Sequence, residues 1–147
     1  MKLTFKKATQ KDAAKLVEMD KIIFTRPFDI FFTEPEFKKI FNHKGETGFI
    51  YNGKKLTGYY SWIDIDKNVT ELMSIGILPE FQGKGIGSEC VKYILSNLKK
   101  KKRIILVTHP KNIGALKTYM KHGFEIYGFK ENHYGPGHHR VMMQKSN

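Results

Sequence analysis

The sequence predicts an α/β protein: a mixed, mostly antiparallel sheet of about seven strands with about four helices. Three observations carry that expectation. Short alternating segments of strand length are interleaved with segments of helical apolar period. Asn52-Gly53, the strongest kind of short hairpin signal, joins two alternating runs. Two helix-start signatures, Thr9 to Asp12 and Thr33 to Glu36, stand ahead of apolar periodic runs.

In chain order, Lys2 to Ala8 alternates as a strand. Thr9-Gln10-Lys11-Asp12 has the Thr-x-x-Asp form of a helix start, and Ala13, Leu16, Val17 and Ile22 follow with a helical period. Phe24 to Phe32 is rich in aromatics and broken by Pro27. A second helix opens at Thr33-Glu34-Pro35-Glu36, with Phe37, Ile40 and Phe41 on its apolar face. Thr47 to Tyr51 and Lys54 to Ile65 flank the Asn52-Gly53 turn, and Lys67-Asn68 leads into a strand from Val69 to Leu78. A helix is expected from Ser88 to about Leu98 and a strand from Arg103 to His109, ended by Pro110. The next helix runs from Asn112 to His122, with Gly123 as its C-terminal cap. Phe124 to about Asn132 and Arg140 to Lys145 read as final strands, joined through Tyr134-Gly135-Pro136-Gly137-His138. No repeat or linker interrupts this order, so residues 1–147 read as one domain.

Composition bounds the function. With 40% hydrophobic residues the chain can bury a core, and no run approaches the roughly 18 apolar residues of a membrane helix. The N-terminus is charged and alternating, without a signal-peptide core, and the single Cys90 excludes an intrachain disulfide. Both favour a cytoplasmic setting. A net charge of +12 would suit an acidic partner. The run Lys99 to Arg103, however, lies where a helix ends, and cations are favourable there without nucleic acid.

The segment with most chemical content is Pro79-Glu80-Phe81-Gln82-Gly83-Lys84-Gly85-Ile86-Gly87-Ser88. A glycine-rich turn that opens a helix presents backbone N–H groups without intrahelical partners at the positive end of the helix dipole. That is a site for a phosphate-bearing cofactor. It is not a Walker loop, because Gly85 follows Gly83-Lys84 and Leu78 stands where the first glycine belongs. It is not a dinucleotide fingerprint either, because Ser88 stands where the third glycine counted from Gly83 should fall.

The spacing Gln82-x-x-Gly85-x-Gly87 resembles the coenzyme A loop of the GNAT superfamily of acetyl-CoA-dependent N-acetyltransferases. Further on, Asn112, Ala115, Tyr119, Gly123 and Phe124 match the later motif of that family in order and spacing. The resemblance implies the GNAT fold, with acetyl-CoA held where the strand ending at Leu78 and the strand starting at Arg103 splay apart. It implies that Gln82, Gly83, Lys84, Gly85, Ile86, Gly87 and Ser88 hold the pyrophosphate through main-chain N–H groups. Ile75, Gly76 and Ile77 would pair with the pantetheine arm, the N–H of Ile77 would serve the oxyanion, and Asn112 would contact the arm or the phosphates.

Acetyl transfer to an amine needs a base, because a lysine-like amine is about one part in a thousand neutral near pH 7.4, a shortage of about 4 kcal/mol. It also needs an oxyanion donor and a proton for the departing thiolate. Glu71, four residues ahead of Ile75, is the expected base, as in relatives with a glutamate at the matching position. Tyr119 is the expected acid and a further cofactor contact. It lies two helical turns after Asn112 on one face, and its phenol is protonated at neutral pH. Cys90 reads as a buried structural thiol, and the histidines have no spacing that commits to a metal.

In the family, the first two helices and the last hairpin border the acceptor. Here that points to Phe28, Asp29 and Tyr134, with Asp29 and Glu34 as anionic partners for an amine. Pro136, His138 and His139 replace acidic residues common in such hairpins. The expected acceptor is an amine on a small molecule or a peptide, attacked directly, with the protein a monomer or homodimer. Two rival readings are a basic nucleic-acid-binding module, which leaves both motifs unexplained, and a non-catalytic CoA sensor, which leaves Glu71 and Tyr119 unexplained.

Overall fold

The computed structural model describes residues 1–147. Its strands are β1 (Leu3–Lys7), β2 (Gly45–Asn52), β3 (Lys55–Asp64), β4 (Val69–Ile77), β5 (Arg103–Thr108), β6 (Glu125–Lys130) and β7 (Arg140–Ser146). Its helices are α1 (Ala13–Ile23), α2 (Glu34–Phe41), α3 (Ile86–Asn97) and α4 (Ile113–Lys121). The strands form one sheet in the order β1-β2-β3-β4-β5-β7-β6. Every neighbouring pair is antiparallel except β4 with β5. The mixed, mostly antiparallel seven-stranded sheet with four helices is therefore the architecture the sequence predicted.

Alternation along the strands divides the core between two faces. Tyr59 and Ile63 of β3 join Leu16 of α1 and Phe37 of α2 on one face. Tyr60 and Trp62 join Ile86, Cys90 and Ile94 of α3 on the other. Leu16 and Phe37 are fully buried, each contributing roughly 1.5–3 kcal/mol of hydrophobic stabilisation. The Thr33 capping box is formed: its Oγ1 accepts from the Glu36 N–H (3.3 Å), and Glu36 Oε1 accepts from the Thr33 N–H (3.0 Å). At Thr9 the N–H donates to Asp12 Oδ2 (2.9 Å), but a short 3-10 turn precedes α1.

Two features of β4 shape the site. Its register with β3 jumps from Ser61↔Ser74 to Trp62↔Leu72, leaving Met73 as a β-bulge. As a result Met73 and Ser74 both reach the α1–α2 face, which simple alternation forbids. The second feature is that β4 pairs with β5 only from Val69↔Arg103 to Glu71↔Ile105. Beyond that pair, β4 stays bonded to β3 as far as Ile77, and β5 stays bonded to β7 as far as Thr108. The sheet therefore opens a gap between the C-terminal halves of β4 and β5.

Candidate active site

One wall of the gap is backbone. The Leu78 N–H donates to Thr57 O on β3 (2.8 Å). Strand alternation then turns the polar groups of Ile77 and Ile75 toward the open edge. The side-chain amide of Gln82 donates to the Ile77 carbonyl (2.8 Å), which ties the loop to that edge. A Cβ on Gly76 would sit 2.8 Å from the Tyr59 ring and 3.0 Å from Ile23, so packing accounts for this glycine.

The loop after β4 makes a 3-10 turn at Pro79–Phe81 and enters α3 through Gly85, whose φ of +85° suits glycine. Helix α3 therefore begins at Ile86, two residues earlier than the sequence suggested, because a left-handed glycine and not a side chain forms its N-cap. No side chain caps this terminus, so the first-turn N–H groups of Ile86, Gly87 and Ser88 remain available to an anion. A Cβ at Gly83 (φ +74°) or Gly85 would meet only open space, as a cradle for a bulky ligand requires. The side chains of this segment look elsewhere. Ile86 is buried in the α3 core, Ser88 Oγ lies 2.8 Å from His122 Nε2, and the Lys84 ammonium lies 5.7 Å from the Phe81 ring centre.

At the vertex stands Glu71, opposite the core residue Ile63 and hence on the α1–α2 face. It is half-buried, and desolvation raises its pKa above the ordinary carboxylate value. Tyr119 of α4 packs on the opposite face, against the α3 core and edge-on to Phe124. Burial, and secondarily the nearby Cys90 thiol, push its phenol well above the usual tyrosine range. The two residues thus lie on opposite faces of the sheet. Asn112 is the N-cap of α4: its Oδ1 accepts from the Ala115 N–H (3.3 Å) and from Arg26 Nη1 (3.5 Å).

On the α1–α2 face the gap opens into a cleft of about 110 Å³. Phe28, Asp29 and Tyr134 all line it, together with Met73 and Ser74 of the bulge. The Tyr134 phenol is raised by burial and then by the negative charge of Glu71, which stands two residues before Met73 of the cleft wall. Two expectations fail here. The Asp29 carboxylate is not free for an amine, because Arg26 donates to it from Nε (2.9 Å), Nη2 (3.0 Å) and its backbone N–H (3.0 Å). Glu34 lies outside the cleft, paired with Lys38 at 3.5 Å on the surface of α2.

Sequence reasoning assigned no role to four polar residues here: Asp20, His109 and Arg140, which line the cleft, and Arg26, which pairs with Asp29 of its lining. Asp20 of α1 is buried, accepting from the Tyr59 hydroxyl and from the Phe32 N–H (3.0 Å). Burial raises its pKa to about 6, against the lowering effect of those hydrogen bonds. His109 stacks on Phe28 at 4.6 Å, and burial followed by the Arg140 charge lowers its pKa, keeping it neutral. Arg26 could have been found as the i−3 partner of Asp29, but the other three had no local signal. Cys90 is fully buried and its thiol is raised by desolvation, as a structural cysteine should be. No group of three or more His, Cys, Asp or Glu residues is gathered to hold a metal ion.

A strand that parts from its parallel neighbour, followed by a glycine-capped helix, is the arrangement that the resemblance to the GNAT superfamily implies. The sequence profile of the Acetyltransferase (GNAT) family matches residues 14–124. The chain belongs to that family of acetyltransferases. Its fold is similar to the ribosomal-protein-S18-alanine N-acetyltransferase from Escherichia coli, with TM-score 0.85 and 15% identity over 99% of this chain and 94% of that one. It is similar also to Arabidopsis thaliana Naa50 in complex with the bisubstrate analogue CoA-Ac-MVNAL, with TM-score 0.83 and 20% identity over the whole of both chains (100% and 100%). A GNAT family acetyltransferase from Elizabethkingia anophelis with acetyl-CoA bound superposes with TM-score 0.77 and 18% identity over 99% of this chain and 98% of that one. At such identities the likeness is one of fold. A search of curated protein sequences finds no match.

Proposed function

We propose that the protein moves an acetyl group from acetyl-CoA to an amine by direct attack, with Glu71 as base and Tyr119 as acid. The observation that carries this reading is the end of β4–β5 pairing at Glu71↔Ile105. It sets a desolvated carboxylate at the vertex of the gap, beside the acceptor cleft. A carboxylate with a raised pKa is a better match to an amine proton than a solvated one. Direct attack is preferred because the one cysteine is buried and protonated.

When bound, acetyl-CoA supplies the activated thioester. The N–H groups of Gly83 to Ser88 would hold its diphosphate, and the open edge of Ile75 and Ile77 its pantetheine arm. The Ile77 N–H would donate to the oxygen that gains charge. Tyr119 keeps its proton at neutral pH and can give it to the sulfur side of the gap. Asn112 acts through its cap, which fixes the start of the helix that carries Tyr119. Single-domain organisation and a cytoplasmic setting complete the reading.

The test is a panel of small amines and peptides incubated with acetyl-CoA, followed by thiol release and by mass analysis of the acceptor. Acetylated amine, with release lost in Glu71→Gln, supports the assignment. Release without an acetylated amine contradicts it.

A further inference from the structure

If the cleft receives the acceptor, as the acetyl-transfer reading requires, its side chains select the acceptor's chemistry. Arg140, the first residue of β7, lines the cleft and is only 5% exposed. Its Nη1 donates to the His139 carbonyl (2.7 Å) and its Nη2 to the Phe28 carbonyl (3.3 Å). Its guanidinium lies 4.9 Å from the centre of the Tyr134 ring. None of these partners carries a negative charge, and a buried cation is ordinarily paired with an anion.

The carboxylates of the cleft do not fill that role. The charge of Asp29 does act on Arg140, but both its oxygens are taken by Arg26, and it makes neither a hydrogen bond nor an ion pair with Arg140. Asp20 is held by Tyr59 and Phe32, and it is not among the charges that act on Arg140. His109 is neutral. Of the five guanidinium donors, two are used, and the fork geometry suits a carboxylate. Tyr134 relates this cation to the vertex: Arg140 stacks on its ring, and the Glu71 charge acts on its phenol. An amine at Glu71 and an anion at Arg140 would therefore both be neighbours of Tyr134.

We propose that Arg140 binds a carboxylate of the acceptor, so that the substrate is a small molecule of amino-acid type carrying both an amine and a carboxylate, and not a polyamine or a lysine-rich peptide.

The experiment compares L-amino acids with the carboxamides of the same amino acids and with a polyamine. It measures kcat/KM with acetyl-CoA and, by calorimetry, binding to the CoA-loaded protein. The expected result is a preference of more than about tenfold for at least one acid over its amide, because leaving one member of a buried charge pair alone is costly. That ratio falls toward unity in Arg140→Met and is intermediate in Arg140→Lys, which keeps the charge but not the fork. Equal or better use of the amides or the polyamine would overturn the proposal. So would an Arg140→Met protein that lowers acid and amide alike, the behaviour of a mere strut between β7 and the Phe28 loop. If Arg140→Met does not fold, the wild-type ratio and Arg140→Lys still decide. A protein that takes up no acetyl-CoA would overturn the acetyl-transfer reading itself, whereas uptake without acid–amide discrimination would overturn only the carboxylate assignment.

Discussion

The glycine loop before α3 and the cleft on the α1–α2 face meet at the same gap in the sheet but are built from different materials. The loop offers main-chain N–H groups, and its side chains are turned into the core, toward His122 or against Phe81. The cleft offers side chains from six places in the chain: α1, the α1–α2 connection, the β4 bulge, the end of β5 with the turn after it, the β6–β7 connection and the start of β7. A backbone site depends on φ angles and spacing, so glycines write it into the sequence. A side-chain site depends on which distant residues the fold brings together, and it can change its ligand without changing the fold.

The largest effect separating the two sides is expected at the vertex. Glu71→Gln should reduce turnover by about 10²–10⁴-fold, the usual worth of a positioned base, while acetyl-CoA affinity measured by calorimetry stays the same. The pH profile sharpens this point. The base acts ionised, and burial has raised its pKa, so wild-type rate falls as pH drops through a value above the ordinary carboxylate range. That acid limb should vanish in Glu71→Gln. Tyr119→Phe is next, with turnover lower by about 10²-fold and an unchanged circular-dichroism spectrum, since the ring and its contact with Phe124 remain.

Asp20 tests the cleft as structure. Its folded pKa, about 6, lies above the unfolded value, so the native state binds the extra proton. Its contribution to stability is therefore greatest below about pH 4 and declines as pH rises to 6, by about 2–3 kcal/mol in all. Asp20→Asn should flatten that decline in urea unfolding series across the same window. An Asn can still accept from the Phe32 N–H while donating to the Tyr59 hydroxyl, which can turn toward Ser74 at 2.9 Å. The smallest effect belongs to the loop: Gly85→Ala should cost about 1–2 kcal/mol of stability from its left-handed backbone alone, because the new methyl meets nothing in the protein. Thermal unfolding measures that cost. A larger loss of acetyl-CoA affinity than of stability would mark the open space as ligand space.

The same contrast explains what was legible in the sequence. Hairpin, caps and periodicity give the element order because each is local. Gly83, Gly85 and the Asn112-to-Phe124 spacing mark the proposed coenzyme side for the same reason. The bulge at Met73 was not legible: adjacent apolar residues such as Leu72 and Met73 also occur in strands covered on both faces, and the jump becomes visible only in the pairing with β3. The status of Asp29 was also hidden. The residue does line the cleft, but its charge is cancelled by Arg26, a matter of side-chain geometry. Arg140 lies more than a hundred residues from Phe28, whose carbonyl it bonds, so no window of sequence joins them.

The central claim is that main-chain groups of the loop and of the open β4 edge hold acetyl-CoA. Hydrogen exchange at single-amide resolution, with and without acetyl-CoA, tests it most directly. The account predicts slowed exchange at Gly83 to Ser88 and at Ile75 and Ile77. Protection confined to other segments, with these amides exchanging as before, would contradict it.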